Sequence, residues 1–227
     1  MLEIVYQDDY LVAINKPHGL LVHRSSIAND TSEFALQLLR DQLGKKVYPV
    51  HRIDRKTGGL LLFAFDKDTE IAMQKLFAQN QISKTYLALV RGYAPDEGEI
   101  DYPLRKENGT LQDAFTAYKA LQRTEVEVPL GKHPTSRYTL IEVKPRTGRM
   151  HQIRKHMAHI FYPIIGDRTH GCNKQNKLFK ERWGIETMFL HASSLAFSHP
   201  VTGQPVQITA AVRAEFEEVL KLLGINF

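Results

Sequence analysis

HRIDRKTGGLLLFAF, residues 51–65, decides how this chain is read. Its first half sets one carboxylate, Asp54, among His51, Arg52, Arg55 and Lys56. Its second half, from Gly59 to Phe65, is a continuous apolar run of strand length, which describes a strand covered on both faces. Nearby cations favour the ionised form of a carboxylate, so Asp54 is a candidate base, nucleophile or metal ligand. Thr57-Gly58-Gly59 lets the backbone turn tightly or approach a bound group closely. The same residues also suit a surface Asp–Arg pair at a loop-to-strand junction, and charge alone does not separate the two readings.

Outward from this stretch, residues 68–79 predict a helix with Ala72, Met73, Leu76 and Phe77 on one side. Upstream, residues 10–15 (YLVAIN) predict a strand that ends at Lys16-Pro17-His18-Gly19. Asp30-Thr31-Ser32-Glu33 has helix-cap chemistry, Phe34, Leu38 and Leu39 follow at helical spacing, and Gly44 stops the helix. Downstream, residues 85–90, 138–143 and 205–209 predict strands, whereas residues 93–137, with Pro103, Pro129 and Pro134, predict loops and short strands. Residues 151–160 keep Ile153, Met157 and Ile160 on one helical stripe. A last helix over 210–223 buries Val212, Phe216, Val219, Leu220 and Leu223. Strands and helices interleave without a strict βαβα rhythm, so the expected class is α+β with a mixed sheet, in a single domain over residues 1–227.

Composition sets the outer bounds. Of 227 residues, 43% are hydrophobic and 24% charged, which excludes disorder, collagen and coiled coil for the whole chain. One cysteine, Cys172, excludes a disulfide framework and any multi-cysteine metal site. The acidic start (Glu3, Asp8, Asp9) does not read as a signal peptide. The longest apolar stretch, residues 58–65, falls far short of the roughly 20 residues a membrane span requires, so an intracellular chain without membrane contact is expected. The net charge is +5, and it is concentrated. Residues 144–155 (KPRTGRMHQIRK) alone carry five basic residues and no acid, and residues 168–182 carry five against Glu181. A concentrated basic turn leading into a helix suits phosphate, and a nucleic acid is the natural long-range partner.

Several other chemistries lack their context. His51-Arg52-Ile53-Asp54 echoes a kinase catalytic loop, but no downstream Asn, DFG or glycine-rich loop accompanies it. Neither phosphate-loop nor dinucleotide fingerprint is present. His156 and His159 can share a helical face while His151 points away, which is a poor zinc set. Taken alone, Tyr86 is an ordinary strand aromatic.

Read in order, these segments resemble the RluA-type pseudouridine synthases. His51 to Leu61 (HRIDRKTGGLL) is similar to that family's catalytic motif. Asn15-Lys16-Pro17 with Gly19 and His23 precedes it, and Lys84-Thr85-Tyr86 with Ala88 follows. Thr147-Gly148-Arg149-Met150-His151-Gln152-Ile153-Arg154, then Pro163-Ile164-Ile165-Gly166-Asp167 and Leu190-His191-Ala192, complete the series. Gly58 departs from the pattern, which usually has Ser there.

The resemblance implies a mixed, mostly antiparallel central sheet flanked by helices, with a basic active-site cleft. It implies isomerisation of an RNA uridine to pseudouridine with no cofactor and no metal. Asp54 takes the role of catalytic aspartate, Tyr86 that of the aromatic stacked on the flipped base, and Arg154 that of the basic residue paired with the aspartate. Arg52, Arg149, His151 and Ile153 are implied to contact the substrate. Within the family, the greatest likeness is to the branch that modifies uridine 65 of tRNA. The expected setting is the cytoplasm, with tRNA as partner, no membrane, no obligate protein partner and no N-terminal S4-type RNA-binding module. An rRNA uridine or another tRNA position, and an RNA-binding protein that has lost catalysis, are the competing readings.

Overall fold

In the computed structural model, which describes residues 1–23 and 33–227, the chain runs β1 (Glu3–Gln7), β2 (Leu11–Lys16), α1 (Ala35–Leu43), β3 (Tyr48–Pro49), β4 (Gly58–Ala64) and α2 (Lys67–Ala78). Then come β5 (Ser83–Arg91), β6 (Glu97–Asp101), β7 (Leu104–Arg105), β8 (Leu111–Gln112), β9 (Phe115–Val126) and β10 (Ser136–Pro145). Last are α3 (Gln152–His159), α4 (Asn173–Trp183), β11 (Leu190–Ser198), β12 (Pro205–Thr209) and α5 (Ala214–Leu222). Strand pairing is mixed and mostly antiparallel, as the α+β expectation required. The contacts divide into two compact units, residues 1–84 with 191–213 and residues 85–190 with 214–227.

In the first unit every residue of β4 is buried, and neighbours lie along both of its edges. β2 pairs antiparallel along one edge, from Leu11 opposite Ala64 to Lys16 opposite Gly59. Short segments share the other edge: β3 lies antiparallel at Phe63 and Ala64, and β11 runs parallel at Gly58 and Gly59. The antiparallel neighbours β1 (on β2) and β12 (on β11) extend the sheet. An apolar core of Val12, Ile14, Leu61 and Phe63 packs with Ala35 and Leu39 of α1. At the α1 terminus Gly44 adopts φ 65°, the left-handed stop its sequence position implied. The cap chemistry anticipated at Asp30-Thr31-Ser32 lies outside the described residues. α2 starts one residue early because Asp66 caps it, accepting from Thr69 N at 2.8 Å and Thr69 Oγ1 at 2.7 Å.

In the second unit β5, β10, β9 and β6 form an antiparallel sheet in that order, with the small β7–β8 hairpin beside it in sequence. The core joins Ala88, Val90, Ile141 and Val143 of the sheet to Ile153 and Met157 of α3. Three expectations need correction here. Residues 115–126 are one long strand instead of loops and short strands, held by register pairing with β10 from Thr116–Pro145 to Val126–Ser136. α4 was not anticipated, since only Gln175 and Phe179 of its residues are buried. α5 begins at Ala214, four residues later than expected, because the preceding backbone is already engaged: Ala210 N donates to Ser193 O and Asn15 Nδ2 to Ala211 O. Val212 is accordingly only half-buried. Among the described residues, no helix is long and apolar enough to cross a membrane.

Gly59 makes the parallel β4–β11 contact possible. Its φ is +100°, and a Cβ there would stand 2.2 Å from Ala192 O and 2.6 Å from Ala192 N. Gly59→Ala should therefore cost on the order of 3 kcal/mol or more, whereas Gly109→Ala, at φ +84° in open space, should cost about 1 kcal/mol. Urea denaturation of the two variants checks the contrast; equal losses would contradict it.

Candidate active site

Residues 51–57 form a loop that leads into β4, and its shape is set by a buried cation. Lys16, at the end of β2, has no exposed surface. Its Nζ donates to the carbonyl oxygens of Pro17 (3.0 Å), Leu20 (2.8 Å) and Arg55 (3.0 Å). Two further bonds join the Pro17–Gly19 turn to the loop: Gly19 N donates to Arg55 O at 2.9 Å, and Arg55 Nε to Gly19 O at 3.0 Å. Burial pushes the Lys16 ammonium down to about 7; the Asp54 carboxylate pulls it back up, while Arg213 and Arg55 add to the drop. Asp54 itself is half-buried, its carbonyl accepts from Thr57 N at 3.0 Å, and Arg52 is exposed.

His51 is not part of the charged group that the sequence suggested. Its ring stacks on Phe77 of α2 at 4.6 Å, and its Nε2 accepts from Leu62 N at 3.0 Å, which assigns the ring proton to Nδ1. Burial, with a contribution from the charge of Lys84, lowers its pKa to about 3, so it is a neutral pin between the loop and β4. His191 on β11 is likewise neutral, lowered by burial to about 4, with Nε2 against Ala210 O at 3.1 Å. A Cβ on Gly58 would meet His191 Nδ1 at 3.4 Å and Lys16 O at 3.6 Å, so this position has space for the side chain that the family motif usually carries.

In the second unit the Thr147–Arg154 segment builds a basic turn and the start of α3. The Gln152 amide organises the turn: Oε1 accepts from Thr147 Oγ1 (2.7 Å) and Arg149 N (3.0 Å), and Nε2 donates to Phe115 O (2.9 Å) and Thr116 Oγ1 (3.0 Å). Arg149 Nε donates to Asp113 O at 2.9 Å. His151 takes the left-handed conformation at φ 57° before α3, and its Nδ1 lies 3.0 Å from His170 Nε2. Ile153 belongs to the core, 6% exposed, in the cluster against which Tyr86 packs from β5.

Arg154 has a partner that the sequence reading missed. Its Nε donates to Asp167 Oδ2 at 2.7 Å and its Nη2 to Asp167 Oδ1 at 2.8 Å, a two-pronged pair with both side chains at least nine-tenths buried. Asp167 Oδ1 also accepts from Thr169 N (2.9 Å) and His170 N (3.1 Å). Gly166-Asp167 is one of the quoted motifs, but spacing gave no sign that it met Arg154. The histidines of α3 are occupied elsewhere: His156 is fully buried between Thr116 Oγ1 and Tyr102 O, and His159 stacks on Tyr102 at 3.8 Å. Among the described residues, no group of three or more His, Cys, Asp or Glu side chains gathers as metal ligands.

Removing one partner of a buried ion pair strands the other, so Arg154→Ala and Asp167→Ala should each cost about 3–5 kcal/mol. Both variants should show a lowered Tm. Burial raises the Asp167 carboxyl, but the bonds from Arg154, His170 and Thr169 outweigh it and hold it below the ordinary aspartate value of 3.8. A depressed carboxylate stabilises above the unfolded value, and that contribution is lost as pH falls below 3.8 through the folded value. Asp167→Asn should therefore flatten the loss of stability in this acid range, measured by pH-dependent denaturation. A wild-type acid profile would contradict the assignment.

The RNA pseudouridylate synthase family matches residues 10–159. The chain is 48% identical to tRNA pseudouridine synthase C of Vibrio vulnificus, covering 100% of this chain and 96% of that protein. Identity is 42% to the protein of the same name from Haemophilus influenzae, over 99% of this chain and 98% of that one. Among solved structures, human RNA pseudouridylate synthase domain containing 4 superposes with a TM-score of 0.76 at 25% identity, covering 99% of this chain and 94% of that one.

Proposed function

The chain belongs to the RNA pseudouridylate synthase family, and from that membership we propose that it isomerises a uridine of tRNA to pseudouridine, with uridine 65 as the target. The observation that carries the reading is near-half identity, over the whole chain, to a protein named for tRNA. A tRNA substrate puts this work in the cytoplasm, and the whole chain serves as one catalytic domain.

The reaction detaches and reattaches one base. Asp54 forms a transient bond to the target nucleotide, the bond between N1 and C1′ breaks, the held uracil turns, and C5 bonds to C1′ as the Asp54 carboxylate is released. C5 gives up its proton to water and N1 ends protonated, so the product is an isomer of the substrate. No electrons are exchanged with an outside group, so neither cofactor nor metal is called for. A stacked base must first leave its helix, at a cost of a few kcal/mol. Tyr86 stacks on the extruded base, and Arg52, at the exposed start of the loop, fills the gap or holds the displaced strand. Arg149 and His151 on the basic turn contact the substrate, and Ile153 backs Tyr86. Arg154 supplies the cation that the family likeness pairs with the aspartate; its fork onto Asp167 sets its direction.

Tritium release from tRNA transcripts labelled at uracil C5 tests the reading. Wild-type protein should release label, and Asp54→Asn should reduce release by at least about 1,000-fold, since loss of a nucleophile removes the covalent route. Gly58→Ser should stay within a few-fold of wild type. Release by Asp54→Asn at the wild-type rate would contradict the assigned role.

A further inference from the structure

The second unit carries a cavity of about 390 Å³ between α4 and the residues that follow it, within the size range of small-ligand sites. Arg168, Lys177 and Lys180 line it, with Asn173, Ile185 and a single carboxylate, Glu186. Glu186 bridges two of the cations, accepting from Arg168 Nη2 and standing 2.8 Å from Lys180 Nζ. Lys177 faces Glu181 at a looser 3.6 Å, with both side chains mostly exposed.

Helix stability explains only part of these charges: Lys180 lies in the last turn of α4, where the helix dipole favours a cation, and Lys177 has Glu181 four residues on. α4 has no acidic residue in its first turn, where the helix dipole favours one, and carries Lys174 there instead. Lys177 and Lys180 are neighbours at i, i+3, a like-charge spacing that costs a helix a few tenths of a kcal/mol. Exposed ion pairs such as those of Glu186 are worth about 0–1 kcal/mol, so an incoming anion displaces the carboxylate at little cost.

The groove is also firmly tied to Arg154. Asn176 of α4 accepts from Gly166 N at 2.9 Å through Oδ1 and donates to Asp167 O at 2.8 Å through Nδ2. The carboxylate that grips Arg154 is thus one residue from Arg168 on the groove wall and is bonded through its backbone to α4. A ligand held by Arg168, Lys177 and Lys180 is held in fixed register with Arg154.

We propose that this groove is a backbone-phosphate subsite for the RNA substrate, in which a phosphate takes the place of the Glu186 carboxylate between Arg168 and Lys180. The proposal deepens the reading of the chain as an RNA-modifying enzyme and rests on it for the identity of the polyanion. Glu186 acts as a built-in competitor that keeps weaker anions out of the groove.

Fluorescence anisotropy of an unmodified tRNA, titrated with protein carrying Asp54→Asn so that no turnover occurs, provides the test. Adding Lys177→Ala and Lys180→Ala should weaken binding about tenfold at moderate salt and reduce the slope of log K against log salt by about 1, for the one phosphate the groove holds. Adding Glu186→Gln instead should tighten binding about threefold, because it removes the competing charge. A salt slope equal to the parent's, or an affinity that fails to rise in Glu186→Gln, overturns the proposal. Thermal melts of each variant, with Tm values matching the parent, exclude a folding cause. Wild-type tritium release with an unchanged salt slope would sink the groove alone. The expected slopes without release would sink the uridine reading alone.

Discussion

A lysine ammonium shut away from water holds the loop that carries Asp54. Burial of an unpartnered charge is among the costliest features a fold can contain, and Lys16 is tolerated because three carbonyl oxygens surround its Nζ. The bonds are not interchangeable. Two come from the Pro17–Leu20 turn and one from Arg55, so the ammonium fastens the turn after β2 to the loop before β4. Those strands are already paired side by side through Lys16 opposite Gly59, and the loop has little freedom left. The charge of Asp54 in turn makes the buried ammonium less costly, so the carboxylate and the clamp support each other.

The second unit uses the same device with the signs reversed. There a buried carboxylate, Asp167, is surrounded by donors: two prongs of Arg154 and the backbone N–H groups of Thr169 and His170. An unpaired guanidinium on its long stem has several rotamers open to it, and fixing one of them costs about 1.5–2 kcal/mol. A planar fork onto Asp167 selects one of them. α3 contributes no acid of its own in its first turn, and Asp167, in a loop that follows the helix, supplies a counter-charge for Arg154. His151 and His170 connect the two segments again at 3.0 Å, which makes the turn, the helix start and the Gly166–Asp167 loop one cross-braced structure.

Much of this was legible in the sequence where one residue type admits one conformation. The β4 run suited a doubly covered strand, Gly44 marked the end of α1, and the ordered motifs carried the family. What stayed hidden depended on partners distant along the chain. β9 is half-buried in alternation without a strongly apolar face, and its strand state follows from pairing with β10. α4 buries too little to show a helical stripe, so its lysines read as a charge run. His51 looked like a member of a charged cluster because its neighbours in sequence are ionic; its neighbours in space are Phe77 and a backbone amide. No periodicity joins Asp167 to Arg154 either, since a loop-to-helix ion pair leaves no spacing to detect.

The central claim concerns one uridine in one class of RNA. Its most direct test is to incubate unmodified tRNA with the purified protein and map pseudouridine along the strand by mass-tagging of the modified base. The account predicts a single new pseudouridine at position 65, absent when Asp54→Asn replaces the wild type. A tRNA left unmodified while an rRNA transcript acquires pseudouridine under the same conditions would contradict it.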